Sequence, residues 1–486
     1  SPYLTPVPEY ESSETRHTRG HNDTYRNVFL IYSCGFNNIS SYLKQDIEDV
    51  ASSSLMSHYR DVVLVFSHST ARYGNYSQNT SPVLTRFRKD ADGSVIRDTL
   101  MVMRDSTISA SAETLNEVLT FVHEKFPATG YGMLFTSHGT GWVPAGYASD
   151  PSKFDPQAGN PGNIWSRQRR SAATPTPYLE LPQDGSHPAV KSFGVHNVTK
   201  STAYEMEITD MAAAYPMKMD YIIFDACFMG GIEVAYEFRN VCDKMVFSQT
   251  EILADGMDYE TMTTYLFKNG KTDLKGFCQN FYDYYNSKSG EFQSATISLV
   301  DCTMLEPLAQ VCSEIFSANR AGIAALEGSD KVQKYFRKEY EDIHKWYYDL
   351  ESIARNCGSD ESQLQRLSDA LEGCILYKAA TERFISMENA TNPFYIKEHS
   401  GLSMYLPYSN RPYLNAFYKE QCLLQQDFVR SDLFKGDVAG YIADAAKKLG
   451  GSVKFVDAIH YIKGEGIEKK EEDFAAEVAA QIAGAK

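Results

Sequence analysis

The sequence predicts an α/β protein with a mostly parallel sheet sandwiched by helices and a mainly helical C-terminal region. Short apolar runs at Val28–Ser33, Val62–Phe66, Tyr131–Thr136, Tyr221–Phe224, Lys244–Gln249 and Ala295–Val300 alternate with helical patterns, as in βαβ units. Two of these runs deliver a reactive side chain where the strand stops, His138 in one and Cys227 in the other. Beyond residue 302 the short runs give way to stripes of 3.6-residue period.

Taken in order, residues 1–24 are polar and rich in Pro, Glu, Ser and Thr, and read as a flexible lead-in. Val28–Ser33 is the first buried strand. It runs into the turn-rich Cys34–Asn38, then a helical pattern to about Ser57. Val62–Phe66 is the second strand, and Asp92-Gly93 marks a hairpin within residues 70–100. From Ser111 a helix places Leu115, Val118, Leu119 and Val122 on one face and ends near Pro127. The strand leading to His138 follows.

Residues 143–200 carry many Pro and Gly and little periodicity, together with Arg167, Arg169 and Arg170. An insert this long inside a domain is usually functional or mobile. The Cys227 strand comes next, with Gly230-Gly231 opening a helical pattern through Ile232, Val234, Ala235 and Phe238. Helical patterns also cover about 258–268 and 272–287, and Ala295–Val300 closes the strand series. Residues 25–301 therefore read as one α/β domain and 302–486 as a helical region packed on it. In the latter, Val332, Phe336, Tyr340, Ile343, Trp346, Tyr347 and Leu350 form a helical stripe. Leu364, Leu367 and Leu371 begin another, a strand returns at Gly401–Leu406, and a last helix spans about 467–485.

The 486 residues exceed the usual size of a single domain, and the 43% apolar and 23% charged shares are those of a globular protein. A net charge of −16 argues against nucleic acid or an anionic membrane as the main partner. Nine cysteines without paired spacing give neither a disulfide framework nor a zinc ribbon. No run approaches the ~18 apolar residues of a membrane span. Gly270-Lys-Thr lacks the earlier glycine of a phosphate loop, since Tyr265 stands there, and His123-Glu124 has no second histidine to complete a zinc motif.

Sites in open α/β sheets form at the carboxyl ends of neighbouring strands. A Cys and a His delivered there can act as nucleophile and base. The backbone N–H groups of Gly139 and Cys227 are candidate oxyanion donors, and the helix start after Cys227 favours the thiolate. A lone Cys or His is more often an inert strand or loop residue; the paired context at two strand ends makes these two the candidate dyad.

Ser137-His-Gly-Thr-Gly-Trp142 and Asp225-Ala-Cys-Phe-Met-Gly-Gly-Ile-Glu233 resemble the His and Cys motifs of the clostripain family of cysteine peptidases, relatives of caspases, legumains and gingipains. Tyr32–Asn38 resembles the family's first-strand motif, except that Phe36 stands where an Asp is often seen. Ser111-Ala-Glu-Thr-Leu115 also looks like the family. The resemblance covers about residues 27–300 and implies a caspase-like fold. It implies an endopeptidase in which Cys227 attacks the scissile carbonyl and His138 handles protons, with no third triad member.

Cleavage after Arg or Lys is general in such enzymes and calls for an acidic S1 floor. The loop beyond Gln249 corresponds to the S1-forming segment, with Asp255 the first choice and Asp225 and Asp258 behind it. A desolvated carboxylate pairs bidentately with a guanidinium, although an Asp before Gly256 is also an ordinary turn residue. Relatives are often self-processed between the two motifs, which makes the bonds near Arg170, Arg169 and Arg167 candidates. The expected partners are peptides with a basic P1 residue, and the expected state is a monomer, intact or cleaved into two associated chains. No cofactor is required; family members can depend on calcium, but no EF-hand-like loop is present. The chain begins with Ser rather than Met, consistent with a removed export signal, and the family's usual setting is the bacterial envelope or secretion. The competing readings are an inactive envelope protein of this fold that binds basic peptides, and a cysteine hydrolase acting on small acyl substrates.

Overall fold

In the computed structural model the described residues are 24–157 except 36–38, 53, 56–57, 70–79, 146 and 149–150, then 206–336, 346–384 and 393–418, with the short strands Tyr3–Thr5, His196–Asn197 and Ala203–Tyr204. Arg167, Arg169, Arg170 and the helix expected at 467–485 lie outside them, as does Phe36.

Ten strands form one mixed sheet. In spatial order they are Tyr3–Thr5, Val95–Met103, Val83–Lys89, Asp61–Ser69, Tyr25–Gly35, Ala128–Thr136, Met219–Asp225, Cys242–Phe247, Thr296–Asp301 and Ile375–Ala380. The five from Asp61–Ser69 to Cys242–Phe247 pair in parallel. Antiparallel strands flank them on both sides. The expected parallel sheet is thus present as the centre of a larger mixed one.

The central strands are apolar on both faces because both are covered. Alternate side chains divide between two cores. Val28, Leu30, Tyr32 and Phe224 enter one; Phe29, Ile31, Tyr221 and Ile223 enter the other. The first core takes Leu115, Val118, Leu119 and Val122 of the helix Ala112–Lys125, whose Ser111 Oγ caps the Thr114 N–H at 3.2 Å. The second takes Phe277, Cys278 and Phe281 of the helix Leu274–Asn286.

Three expectations change. The N-terminal lead-in contributes the short edge strand Tyr3–Thr5, paired with Val95–Met103. The strand series does not close at Val300, since Ile375–Ala380 pairs antiparallel with Thr296–Asp301 and forms the other edge. The region beyond 302 is therefore woven into the sheet; its helices Leu305–Ala318, Leu350–Asn356 and Glu361–Cys374 pack on the first core. Finally, the described part of the stripe before Leu350 is not helical, and Leu350 itself opens the helix Leu350–Asn356. Val332, Phe336, Trp346 and Tyr347 are buried, but they lie in turns and extended chain, and Tyr348–Asp349 is a strand.

Candidate active site

Two neighbouring parallel strands bring the His and Cys motifs together. Thr136 stands opposite Asp225 in the register, and the Ser137 N–H donates to the Asp225 carbonyl at 3.4 Å. His138 and Cys227 each follow two residues later, at the carboxyl end of the sheet. The chain order reverses between Tyr25–Gly35 and Ala128–Thr136, and crevices open at such points. Gly139 lies directly on the Cys motif: a Cβ there would be 2.5 Å from the Cys227 carbonyl oxygen and 3.0 Å from the Cys227 nitrogen. Only glycine allows this approach.

Both reactive side chains are buried. The Cys227 Sγ accepts from the Ile252 N–H at 3.1 Å and faces the Ile252 carbonyl at 3.7 Å. A cavity of about 50 Å³ lies beside His138, its lining including Ser137, Gly139, Thr140, Met229, Ala145 and Met206. Ala145 and Met206 stand at the two ends of the insert, and the Ala145 N–H donates to the Glu207 carboxylate at 2.9 Å.

The three acids of the sequence reading have different surroundings. Asp225 is fully buried; its Oδ2 accepts from the Tyr259 hydroxyl at 2.5 Å and the Met257 N–H at 3.3 Å. Asp258 is half-buried and accepts from the Thr261 N–H, the Thr261 hydroxyl and Asn280. Asp255 is exposed, in a turn closed by a Gly256 N–H to Leu253 carbonyl bond, with Gly256 at φ +63°. Burial, and secondarily the Asp255 charge, raise the pKa of the Tyr42 phenol.

Some of the site's surroundings have no signature in the sequence. Phe228, next to Cys227, sits at φ +60°, which costs about 1–2 kcal/mol for a residue with a side chain. Its ring stacks on Tyr347 at 4.2 Å with planes 1° apart, and such a stack contributes about 1 kcal/mol. The two effects are of similar size, so the stack offsets much of the strain. Trp142, closing the His motif, packs its ring against Tyr405 and Tyr418 at 4.8 and 4.6 Å.

Glu233, closing the Cys motif, is fully buried and accepts from the Tyr405 N–H at 2.8 Å and the Tyr418 hydroxyl at 2.9 Å. Burial pushes its carboxyl up from 4.5 to about 7. A carboxyl raised on folding gives stability that is complete below its ordinary value and lost as pH rises through about 7. Glu233→Gln, which keeps an acceptor without the charge, is expected to match wild type at pH 4, below the ordinary carboxyl value. At pH 8 it is expected to gain up to about 3 kcal/mol, read from denaturant midpoints across that range. Glu237 is also raised to about 7 and keeps its share of the pH dependence in both proteins. Equal midpoints of the two proteins at pH 8 would refute this.

Among the described residues no group of three or more His, Cys, Asp or Glu side chains is arranged to hold a metal ion. No helix among them is long and apolar enough to cross a membrane.

Comparison with known proteins agrees with this geometry. The chain superposes on an inactive zymogen C11 protease from Parabacteroides distasonis with a TM-score of 0.64 at 26% identity, covering 84% of this chain and 99% of that one. A secreted C11 cysteine protease from Bacteroides thetaiotaomicron, solved with an irreversible peptide inhibitor, shares the fold with a TM-score of 0.62 at 20% identity, over 83% of this chain and 99% of that one. The sequence is also similar to elongation factor Ts of a Nitratiruptor species, 29% identical over 259 residues, which is 49% of this chain and 83% of that protein. Elongation factor Ts of Bradyrhizobium diazoefficiens is 52% identical over 67 residues, 14% of this chain, which spans only 21% of that relative's length. No motif read above points to this second likeness. The model of the clostripain family matches residues 31–154 and 185–439, well over half of the chain, and the chain accordingly belongs to that family of cysteine peptidases.

Proposed function

We propose that the chain is an endopeptidase that cleaves after Arg or Lys, with Cys227 as nucleophile, His138 as proton carrier and Asp255 as the S1 carboxylate. The Cys227 thiolate adds to the scissile carbonyl, and the Gly139 and Cys227 N–H groups face the oxyanion. His138 protonates the departing amine, leaving a thioester at Cys227 that water hydrolyses.

The observation that carries the specificity is the state of the three acids. Asp225 is engaged with Tyr259 and the Met257 backbone, and Asp258 with Thr261 and Asn280. Asp255 is exposed, with no hydrogen bond or ion pair among the described residues, three residues beyond the Ile252 that contacts the Cys227 sulfur. Asp225 then supports the loop rather than the substrate.

Asp255→Asn is expected to lower kcat/KM on peptides ending in Arg or Lys by about a hundredfold, since a desolvated cation loses its partner. Fluorogenic peptides ending in Arg, Lys or Asp check this. Cleavage of only the Asp peptides, or wild-type rates in Asp255→Asn, would overturn the specificity.

Activation by self-cleavage at or near Arg170, with Arg169 and Arg167 as further candidates, belongs to the same reading. Its support is that Ala145 and Met206, at the two ends of the insert, line the cavity beside His138. Wild type that stays a single band on a gel while hydrolysing peptides would count against it. Export is the setting we infer, since one of the similar structures is described as a secreted protease.

A further inference from the structure

We propose that Tyr347, from the region beyond the α/β domain, is a positioning residue that holds the His138 and Cys227 loops at one fixed separation. The inference rests on the dyad reading above. Tyr347 contacts Thr140 and Phe228, which follow the two reactive side chains.

The Tyr347 side chain touches both loops at once. Its ring stacks flat on Phe228, one residue after Cys227, and its hydroxyl donates to the Thr140 carbonyl, two residues after His138, at 2.7 Å. Between those anchors the two loops meet backbone to backbone. Gly141, at φ +62°, lies so close that a Cβ on it would stand 2.5 Å from the Phe228 carbonyl oxygen and 3.5 Å from Tyr347 Cε1. The ring therefore covers the seam where the loops abut.

The strained Phe228 gives this contact a consequence for the nucleophile. Phe228 holds a left-handed backbone conformation, which non-glycine residues keep only when their surroundings hold them there. Its N–H donates to the Thr250 carbonyl at 3.0 Å, and the stack with Tyr347 secures its ring. Releasing the ring frees the peptide that follows Cys227, and with it the direction of the sulfur and of the Cys227 N–H.

Tyr347 is also rigidly mounted. It is buried, and the next two residues, Tyr348–Asp349, pair with Ser403–Met404. The Ser403 N–H returns to the Gly230 carbonyl at 2.9 Å, within the Cys motif itself. Asp349 accepts from the Tyr335 hydroxyl at 2.6 Å and the Ser400 N–H at 2.8 Å. From Phe228 through Tyr347, Asp349 and Ser403 back to Gly230, the contacts close a ring around the nucleophile loop.

The test uses the full chain with Tyr347→Phe, which keeps the stack and loses the Thr140 bond, and Tyr347→Leu, which loses both. Peptides ending in Arg give kcat and KM, and iodoacetamide gives the rate of Cys227 alkylation against pH. The expected result is a five- to tenfold fall in kcat for Tyr347→Phe and about a hundredfold fall for Tyr347→Leu. KM should stay within about twofold, and the alkylation profile should shift in Tyr347→Leu. Adding Phe228→Gly to Tyr347→Leu should restore part of kcat, because glycine takes the left-handed conformation without support.

Wild-type kcat in both single variants, or losses in kcat that vanish once rates are divided by the folded fraction, overturn the inference. If Tyr347→Leu does not fold, Tyr347→Phe decides alone. Activity persisting in Cys227→Ala would instead overturn the dyad reading, so the two failures are distinguishable.

Discussion

Cys227→Ala and His138→Ala are each expected to lower kcat/KM on Arg- and Lys-ending peptides by at least about 10⁴, and the double variant to lose no more than either alone. A nucleophile and its proton carrier act as a unit, so removing one leaves the other without a reaction to serve. The residual rate would come from binding and from the backbone donors proposed at Gly139 and Cys227. Both side chains are buried but small or replaceable by a smaller group, so melting curves should show folded proteins. His138→Ala retaining activity within tenfold of wild type would mean that another group carries the proton.

The second large effect falls on a residue with no side chain. Gly139→Ala is expected to cost at least a hundredfold in kcat/KM. The new methyl would stand 2.5 Å from the Cys227 carbonyl oxygen, 2.8 Å from Ala226 Cβ and 3.0 Å from the Cys227 nitrogen. None of these is the far end of a flexible chain, so backbone must move. A displacement of about 1 Å between reacting groups is enough for a hundredfold loss, and here it would separate His138 from Cys227 directly.

Gly93→Ala is the matched control. Gly93 is at positive φ, +85°, where Gly139 is not, but nothing lies within 4 Å of the added carbon, and the hairpin is remote in sequence from both motifs. It should lose some stability and less than twofold activity. If Gly139→Ala behaves like Gly93→Ala, the loops are not packed as tightly as the contacts require.

The physical rules that made parts of this molecule legible are local ones. Strands buried on both faces read as continuous apolar runs, which is why Val28–Ser33, Val62–Phe66 and Tyr221–Phe224 were placed within a few residues of the strands Tyr25–Gly35, Asp61–Ser69 and Met219–Asp225. Ser111 with the spacing of Leu115, Val118, Leu119 and Val122 sufficed for a capped helix. The run from Val332 to Leu350 shows the limit of that reasoning. Periodic burial is shared by a helix and by irregular chain pressed against a core, and the spacing alone does not separate them.

By itself, then, the sequence determined the class of fold, the family motifs and the two strand ends that carry His138 and Cys227. Those are set by residue type and short spacing. Only the tertiary structure decided which acid remains available, since Asp225 and Asp255 differ in what folds against them: Tyr259 and Met257 for one, solvent for the other. It alone decided that Ile375–Ala380 forms a sheet edge and that Tyr347 spans the two loops. Thr140 and Tyr347 are separated by 207 positions, and their bond depends on a packing that no local pattern encodes.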